Sequence, residues 1–147
     1  NNIRLLAIGS LNKLPATVQK ALAAAMQKTK NNTKRTLVLA VNYGGRREIV
    51  EAAQNIAQTV LEGKLNPADI DEQVFQNYLY TASLPDPDLL IRASGEMRLS
   101  NFLLWQLAYT ELWVSEVNWP DFGRLQILQA IASYQQRERR FGGLKQK

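Results

Sequence analysis

The sequence predicts an α/β fold: a mainly parallel sheet flanked by helices, with the N-terminal part of the fold missing. Short apolar runs alternate along the chain with longer segments of helical period, the pattern of strand and crossover helix. One of the runs, Thr36 to Val41, is apolar on both faces, as expected of an interior strand in a parallel sheet. No internal repeat or low-complexity tract interrupts the alternation. In open sheets of this kind ligands bind beyond the carboxyl ends of the strands, so the loops that follow the strands are the places to look for function.

The elements follow in order. Ile3 to Ile8 is a short apolar run, interrupted by Arg4 and closed by Gly9 and Ser10, and reads as a buried strand and a turn. Pro15 opens a helix that sets Val18, Leu22, Ala25, Met26 and Thr29 on one face and ends at Asn31 and Asn32. The strand Thr36 to Val41 runs through Asn42-Tyr43-Gly44-Gly45-Arg46 into a second helix, from about Arg47 to Leu61. Asn66 as cap with Pro67 behind it, and Asp71 as a further cap, mark short helical stretches that fade by Tyr80. The proline-rich loop Ser83 to Asp88 leads into a strand, Leu89 to Ile91, that ends at Arg92. Ser94 to Arg98 is a loop, Asn101 to Ala108 a short helix, Glu111 to Val114 a strand and Trp119 to Phe122 a turn. The last helix runs from about Gly123 to Arg140, with Leu125, Leu128, Ile131 and Ala132 on one face, and ends at Gly142 and Gly143.

A chain of 147 residues, 46% of them hydrophobic, fits one globular domain. It contains no Cys and no His, which disfavours disulfides, thiolate nucleophiles, zinc, haem and Ser-His-Asp chemistry. Carboxylate, arginine and hydroxyl chemistry remains, and it suits Mg²⁺ and phosphate esters. The formal charge of +5 favours an anionic partner but does not choose among nucleic acid, membrane surface and phosphorylated small molecule. No apolar run has the length of a membrane span, and the first residues lack the pattern of a signal peptide, so a cytoplasmic location is expected. The chain starts at Asn1 without Met and opens almost directly into a strand, which predicts truncation.

The chemistry concentrates between Pro85 and Phe122. Arg92 ends a strand, a glycine-containing loop follows, and Arg98, Ser100 and Asn101 stand at the start of the expected helix. Arginine forks match phosphate oxygens two at a time, a serine hydroxyl adds a neutral donor, and helix N-terminal amides add more. A diphosphate is the natural guest. Spacing alone equally allows Arg92 and Arg98 to pair with Glu96, Asp86 or Asp88 in a surface network. Glu111, at the start of the next strand, is a candidate Mg²⁺ ligand, since Mg²⁺ takes one or two carboxylates and fills its octahedron with water and phosphate oxygens. A lone Glu at a strand start is otherwise a solvated or salt-bridged residue.

Other segments have simpler explanations. Asn42 to Arg46 has the makings of an anion-binding nest, but two glycines permitting a tight strand-to-helix turn account for it. Trp105, Trp113, Trp119 and Phe122, with Leu103 and Leu104, read as core and interface packing rather than a lipid channel. Arg137, Arg139 and Arg140 complement the dipole of the last helix.

Taken as a set, several motifs in fixed order resemble the cis-prenyltransferases, specifically the undecaprenyl diphosphate synthase (isoprenyl transferase) group. They are Asn42-Tyr43-Gly44-Gly45-Arg46 with Glu48-Ile49, Pro87-Asp88-Leu89-Leu90-Ile91-Arg92, the run from Ser94 to Gln106, and Ala108-Tyr109-Thr110-Glu111-Leu112 followed by Trp119-Pro120-Asp121-Phe122. The resemblance implies that residues 1–147 are the C-terminal part of a single cis-prenyltransferase domain. It implies repeated cis addition of isopentenyl diphosphate to an allylic diphosphate such as farnesyl diphosphate, with Mg²⁺ as cofactor and polyprenyl diphosphate as product. Arg92, Arg98 and Ser100, with the Leu99 backbone, would hold the diphosphate of isopentenyl diphosphate, and Glu111 would bind Mg²⁺. Arg140 and Gly142, in Arg140-Phe141-Gly142, match the family's arginine-glycine motif, which enters the active site of the other subunit of a homodimer. Contact with a membrane would come through the lipid product.

Two departures accompany the resemblance. Met97 stands where some relatives carry a His that helps at the metal. The family's N-terminal Asp-Gly-Asn-Gly-Arg type loop, whose aspartate binds Mg²⁺, is absent, so no catalytic residue is expected in this chain and the fragment alone is expected to be inactive. Two other readings are a non-catalytic partner subunit and a basic nucleic-acid-binding domain. Retention of Arg92, Arg98, Ser100 and Glu111 argues against the first, and dispersed basic residues without interleaved aromatics argue against the second, so no nucleic acid is expected as partner.

Overall fold

The computed structural model describes residues 2–137 and resolves them into two units, one ending at Pro85 and the other beginning at Asp86. In the first unit, β1 (Ile3–Ile8) pairs in parallel with β2 (Arg35–Ala40), in a register that runs from Ile3 opposite Arg35 to Ile8 opposite Ala40. A parallel pair needs a crossover, and α1 (Ala16–Thr29) supplies it and packs on β1. Thr29 fixes the junction: its Oγ1 accepts from the Leu5 amide at 3.0 Å and donates to the Ala25 carbonyl at 2.9 Å. Asn32 Nδ2 donates to the Ile3 carbonyl at 2.7 Å. The helix end and the strand start are thereby tied where the sequence places its polar residues.

β2 departs from the expectation of an interior strand. Leu37 and Leu39 are 51% and 36% exposed, and among the described residues β2 has one strand partner, β1. Apolar composition on both faces records what a strand can bury, and burial depends on which elements lie against it.

At the carboxyl ends of β1 and β2 the backbone is tightly tied. Ser10 N donates to the Asn42 carbonyl at 3.2 Å, and Asn42 Nδ2 returns a bond to the Ser10 carbonyl at 3.1 Å. Gly9 has φ +116°, and a Cβ there would lie 2.2 Å from the Val41 carbonyl oxygen, so no larger residue fits. The left-handed residue of the turn into the next helix is Asn42 (φ 48°) rather than either glycine of the pair. α2 (Gly45–Leu61) starts two residues before the expected position, with extended Gly44 as its cap. Ala52 and Ile56 are buried on its inner face.

Cap chemistry sets the rest of this unit as the sequence predicts. Asn66 Oδ1 accepts from the Ala68 amide at 3.0 Å ahead of a 3-10 turn (Pro67–Asp69), and Asp71 Oδ1 accepts from the Val74 amide at 2.7 Å ahead of α3 (Glu72–Gln76). Between α2 and these turns lies an open apolar groove of about 560 Å³, lined by Ala53, Ala57, Val60, Pro67, Ile70 and Phe75.

The second unit is built on β3 (Leu89–Arg92) and β4 (Glu111–Val114), again parallel, with Leu89 opposite Glu111 and Arg92 opposite Val114. The ladder extends at both ends, through Glu111 N to the Asp88 carbonyl at 3.1 Å and Ser115 N to the Arg92 carbonyl at 2.7 Å.

The helix expected over Asn101 to Ala108 is not formed. Ser100, Asn101 and Leu103 have φ of 51°, 62° and 45°, and left-handed residues cannot continue a right-handed α ladder. The segment is a chain of turns held by bonds such as Phe102 N to the Leu99 carbonyl at 3.1 Å and Leu107 N to the Leu103 carbonyl at 3.0 Å.

After a 3-10 turn (Trp119–Asp121), where Phe122 meets Trp113 edge-on at 6.4 Å and stacks with Trp119 at 5.5 Å, comes α4 (Arg124–Gln135). It ends at Gln135 rather than near Arg140. The face expected to carry Leu125, Leu128, Ile131 and Ala132 is exposed, the first three at 63%, 51% and 42%, and the fully buried position is Ala130. Ala130 forms an inward stripe with Gln126, Ser133, Tyr134 and Arg137, so the tightest packing falls on the small residue. Among the described residues no helix is long and apolar enough to cross a membrane.

Candidate functional site

Arg92 carries the feature of the second unit that most clearly points to a ligand. Its carbonyl accepts from Ser115 N at the end of the ladder, which anchors the backbone, while its Nε is buried and makes no hydrogen bond among the described residues. A buried donor without a partner is costly, and in native proteins such groups are few and call for an explanation. The loop that follows is rigid. Ser94 and Gly95 are both left-handed, at φ 64° and 65°, and their amides are engaged with the carbonyls of Val117 at 3.0 Å and Ser115 at 2.8 Å. A Cβ on Gly95 would lie 2.8 Å from Glu116 Oε2.

The other predicted residues have different surroundings. Arg98 has a side chain 72% exposed and pairs with Glu96 at 2.5 Å, one of the local pairs that spacing allowed. Leu99 and Ser100 are exposed, and Ser100 is the first of the left-handed residues that break the expected helix. The free helix N-terminal amides expected beside Ser100 therefore do not exist, because no helix starts there.

Glu111 opens β4 opposite Leu89, so it stands at the other end of the ladder from Arg92. Three strand residues separate the two levels, about 10 Å along the strand direction. Its Oε2 accepts from Arg137 Nη1 at 2.7 Å, and the same nitrogen donates to the Leu112 carbonyl at 2.9 Å. Among the described residues no cluster of three His, Cys, Asp or Glu could hold a metal. One partly exposed carboxylate suits a single corner of a Mg²⁺ octahedron completed by water and phosphate oxygens. Arg140 and Gly142 lie outside the described residues.

The first unit holds a constellation that the sequence did not reveal. Glu48, in the first turn of α2, is 1% exposed. Its Oε2 accepts from Tyr43 OH at 2.6 Å and its Oε1 from the Tyr80 amide at 2.8 Å. Tyr80 OH donates to Glu51, which also takes Arg47 Nε at 2.8 Å, and the Tyr43 and Tyr80 rings meet edge-on at 6.2 Å. The glutamates alone read as ordinary helix residues; the signal is Tyr80, many positions away.

The Tyr80 hydrogen bond, with help from Arg47, holds the Glu51 carboxyl below its ordinary 4.5, and burial, with Glu51 beside it, pushes the Tyr80 phenol above its ordinary 10.0. A lowered acid stabilises the fold above about pH 4.5, and that contribution fades as pH falls through the folded value. A raised phenol stabilises below about pH 10, and its contribution fades as pH rises through the folded value. The difference in thermal midpoint between the parent and Tyr80→Phe should therefore be flat from about pH 5 to 9.5 and shrink on both sides. A difference independent of pH contradicts the coupling.

Parallel strand pairs, a crossover helix between β1 and β2, and polar loops beyond strand carboxyl ends place the chain in the class of open α/β proteins. Within that class, residues 1–142 match the family described as "Putative undecaprenyl diphosphate synthase", and the chain belongs to this prenyltransferase family. It is 59% identical over 143 residues to an isoprenyl transferase of Heliobacterium mobile, covering 97% of this chain and 55% of that protein. An isoprenyl transferase of Clostridium perfringens is 53% identical over 145 residues, covering 99% of this chain and 57% of that one. The chain thus spans little more than half the length of these relatives. Among solved structures, it superimposes on lavandulyl diphosphate synthase from Lavandula x intermedia in complex with dimethylallyl diphosphate with a TM-score of 0.94 at 48% identity, covering 96% of this chain and 61% of that one. For a "probable undecaprenyl diphosphate synthase" from Campylobacter jejuni the TM-score is 0.84 at 36% identity, with 97% and 64% covered.

Proposed function

We propose that the chain is the C-terminal part of a single cis-prenyltransferase domain that condenses isopentenyl diphosphate with an allylic diphosphate, such as farnesyl diphosphate, to give polyprenyl diphosphate. The observation that carries this reading is the Nε of Arg92 at the carboxyl end of β3, buried and without a hydrogen-bond partner among the described residues, in a chain of this family. That a relative of nearly the same fold binds dimethylallyl diphosphate supports an allylic diphosphate as one substrate.

Arg92 binds diphosphate oxygens from a fixed backbone. Arg98 exchanges Glu96 for the same ligand, while Ser100 and the Leu99 backbone add neutral contacts. Glu111 supplies a carboxylate to Mg²⁺, which when bound offsets the charge that gathers on the departing allylic diphosphate. The arginines stabilise charge and orient the nucleophilic isopentenyl group, an electrostatic role that requires no His or Cys. Arg140 and Gly142 serve the partner subunit's site in a homodimer. The protein works in the cytoplasm, with membrane contact through its lipid product.

The 147-residue chain, given both substrates and Mg²⁺, is expected to make no polyprenyl diphosphate, because the Asp-bearing loop of the family is not in it. Robust synthesis by this chain alone contradicts the missing half. In the longer protein, Arg98→Ala should raise KM for isopentenyl diphosphate or lower the rate, by about tenfold or more for one lost charge-assisted bond. An unchanged KM and rate remove Arg98 from the site.

A further inference from the structure

The Glu111 carboxylate already has a cation. Arg137 Nη1 lies 2.7 Å from Oε2, and its second bond, to the Leu112 carbonyl at 2.9 Å, holds the guanidinium on the same strand. Both side chains are partly exposed, at 33% for Arg137 and 27% for Glu111, so the pair is reachable from solvent and weak enough to exchange. Arg137 lies just beyond Gln136, the C-cap of α4, and precedes the segment that carries Arg140 and Gly142.

We propose that Arg137 and a divalent cation compete for Glu111. The inference rests on the reading of Glu111 as a Mg²⁺ ligand and adds what occupies that ligand beforehand. A carboxylate that neutralises a guanidinium offers less charge to a metal, and a metal on the free oxygen brings two like charges together. Each cation lowers the other's hold on the carboxylate, and that coupling is reciprocal. Arg137 thus keeps Glu111 paired in the absence of metal, and metal arrival loosens Arg137 from β4.

Mn²⁺ binding to the 147-residue chain at low ionic strength, followed by the electron paramagnetic resonance of the free ion, tests this. Arg137→Gln should bind Mn²⁺ about two- to fivefold more tightly than the parent, the scale of a partly exposed ion pair, and the gain should shrink as salt is raised. Arg137→Lys, which keeps the charge, should stay close to the parent. Arg124→Gln, the same charge change at the start of α4, should also stay close, which separates the local effect from net charge. Glu111→Gln should weaken binding and cancel the gain when combined with Arg137→Gln. If Glu111→Gln weakens binding while Arg137→Gln leaves it unchanged or weaker, the competition is wrong and the metal ligand stands. If Glu111→Gln changes nothing in the parent, the metal reading falls and the competition falls with it.

Discussion

Replacing Arg92 with Met in the longer protein is expected to lower kcat/KM for isopentenyl diphosphate by about 10²- to 10⁴-fold. That range is the loss of two charge-assisted hydrogen bonds at roughly 1.5 to 3 kcal/mol each. The stability result should run the other way. Arg92 Nε is buried and unbonded among the described residues, so an apolar side chain of similar length removes an unsatisfied donor, and the thermal midpoint should hold or rise. An arginine retained for a structural ion pair would show the reverse, a loss of stability with little change in rate. Arg92→Lys should not restore activity, because a point ammonium cannot reproduce a planar two-donor fork. Full activity in either variant removes Arg92 from the diphosphate site.

The second large effect is expected at Glu48. Its carboxylate is 1% exposed and accepts from Tyr43 OH and the Tyr80 amide. Glu48→Ala leaves a cavity and two donors that have lost their acceptor, a loss of about 2 to 5 kcal/mol when a buried unsatisfied amide costs roughly 1 to 3 kcal/mol and the cavity adds to it. Urea unfolding should show the midpoint falling with the slope unchanged. Glu48→Gln, which keeps one acceptor oxygen, should recover part of the loss. If Glu48→Ala unfolds at the parent's midpoint, the network does not hold the strand-end loop to Tyr80.

The features legible in the sequence were those set by local chemistry. Asn66 and Asp71 announced their helix starts because a cap's partner lies two or three residues away. The strands β1, β3 and β4 were visible as apolar runs bounded by polar turns, and Arg92 was visible as the arginine that ends one of them. Features imposed by distant contacts were not legible. The apolar run from Phe102 to Leu107 has ordinary helix formers, yet left-handed Ser100, Asn101 and Leu103 turn it into successive bends. The spacing of Leu125, Leu128, Ile131 and Ala132 marked one face of the last helix, whereas the inward stripe of α4 centres on Ala130.

The candidate site divides in the same way. Residue type and order marked Arg92, Arg98, Ser100 and Glu111, because phosphate and Mg²⁺ limit which side chains suit them. The positions of their neighbours were not marked. Arg137 read as a complement to a helix dipole, and the fold instead brings it across 26 positions to Glu111. Tyr80 reaches Glu48 across 32 positions, a separation that no local pattern records.

The central claim, that the loop after β3 takes the diphosphate of isopentenyl diphosphate, is tested most directly by equilibrium dialysis of labelled isopentenyl diphosphate against the 147-residue chain and its Arg92→Met variant. The account predicts saturable binding by the parent, displaced by inorganic diphosphate, and binding at least about tenfold weaker in the variant, the loss of one charge-assisted bond or more. Equal binding by the two chains, or binding by the parent that inorganic diphosphate does not displace, would contradict it.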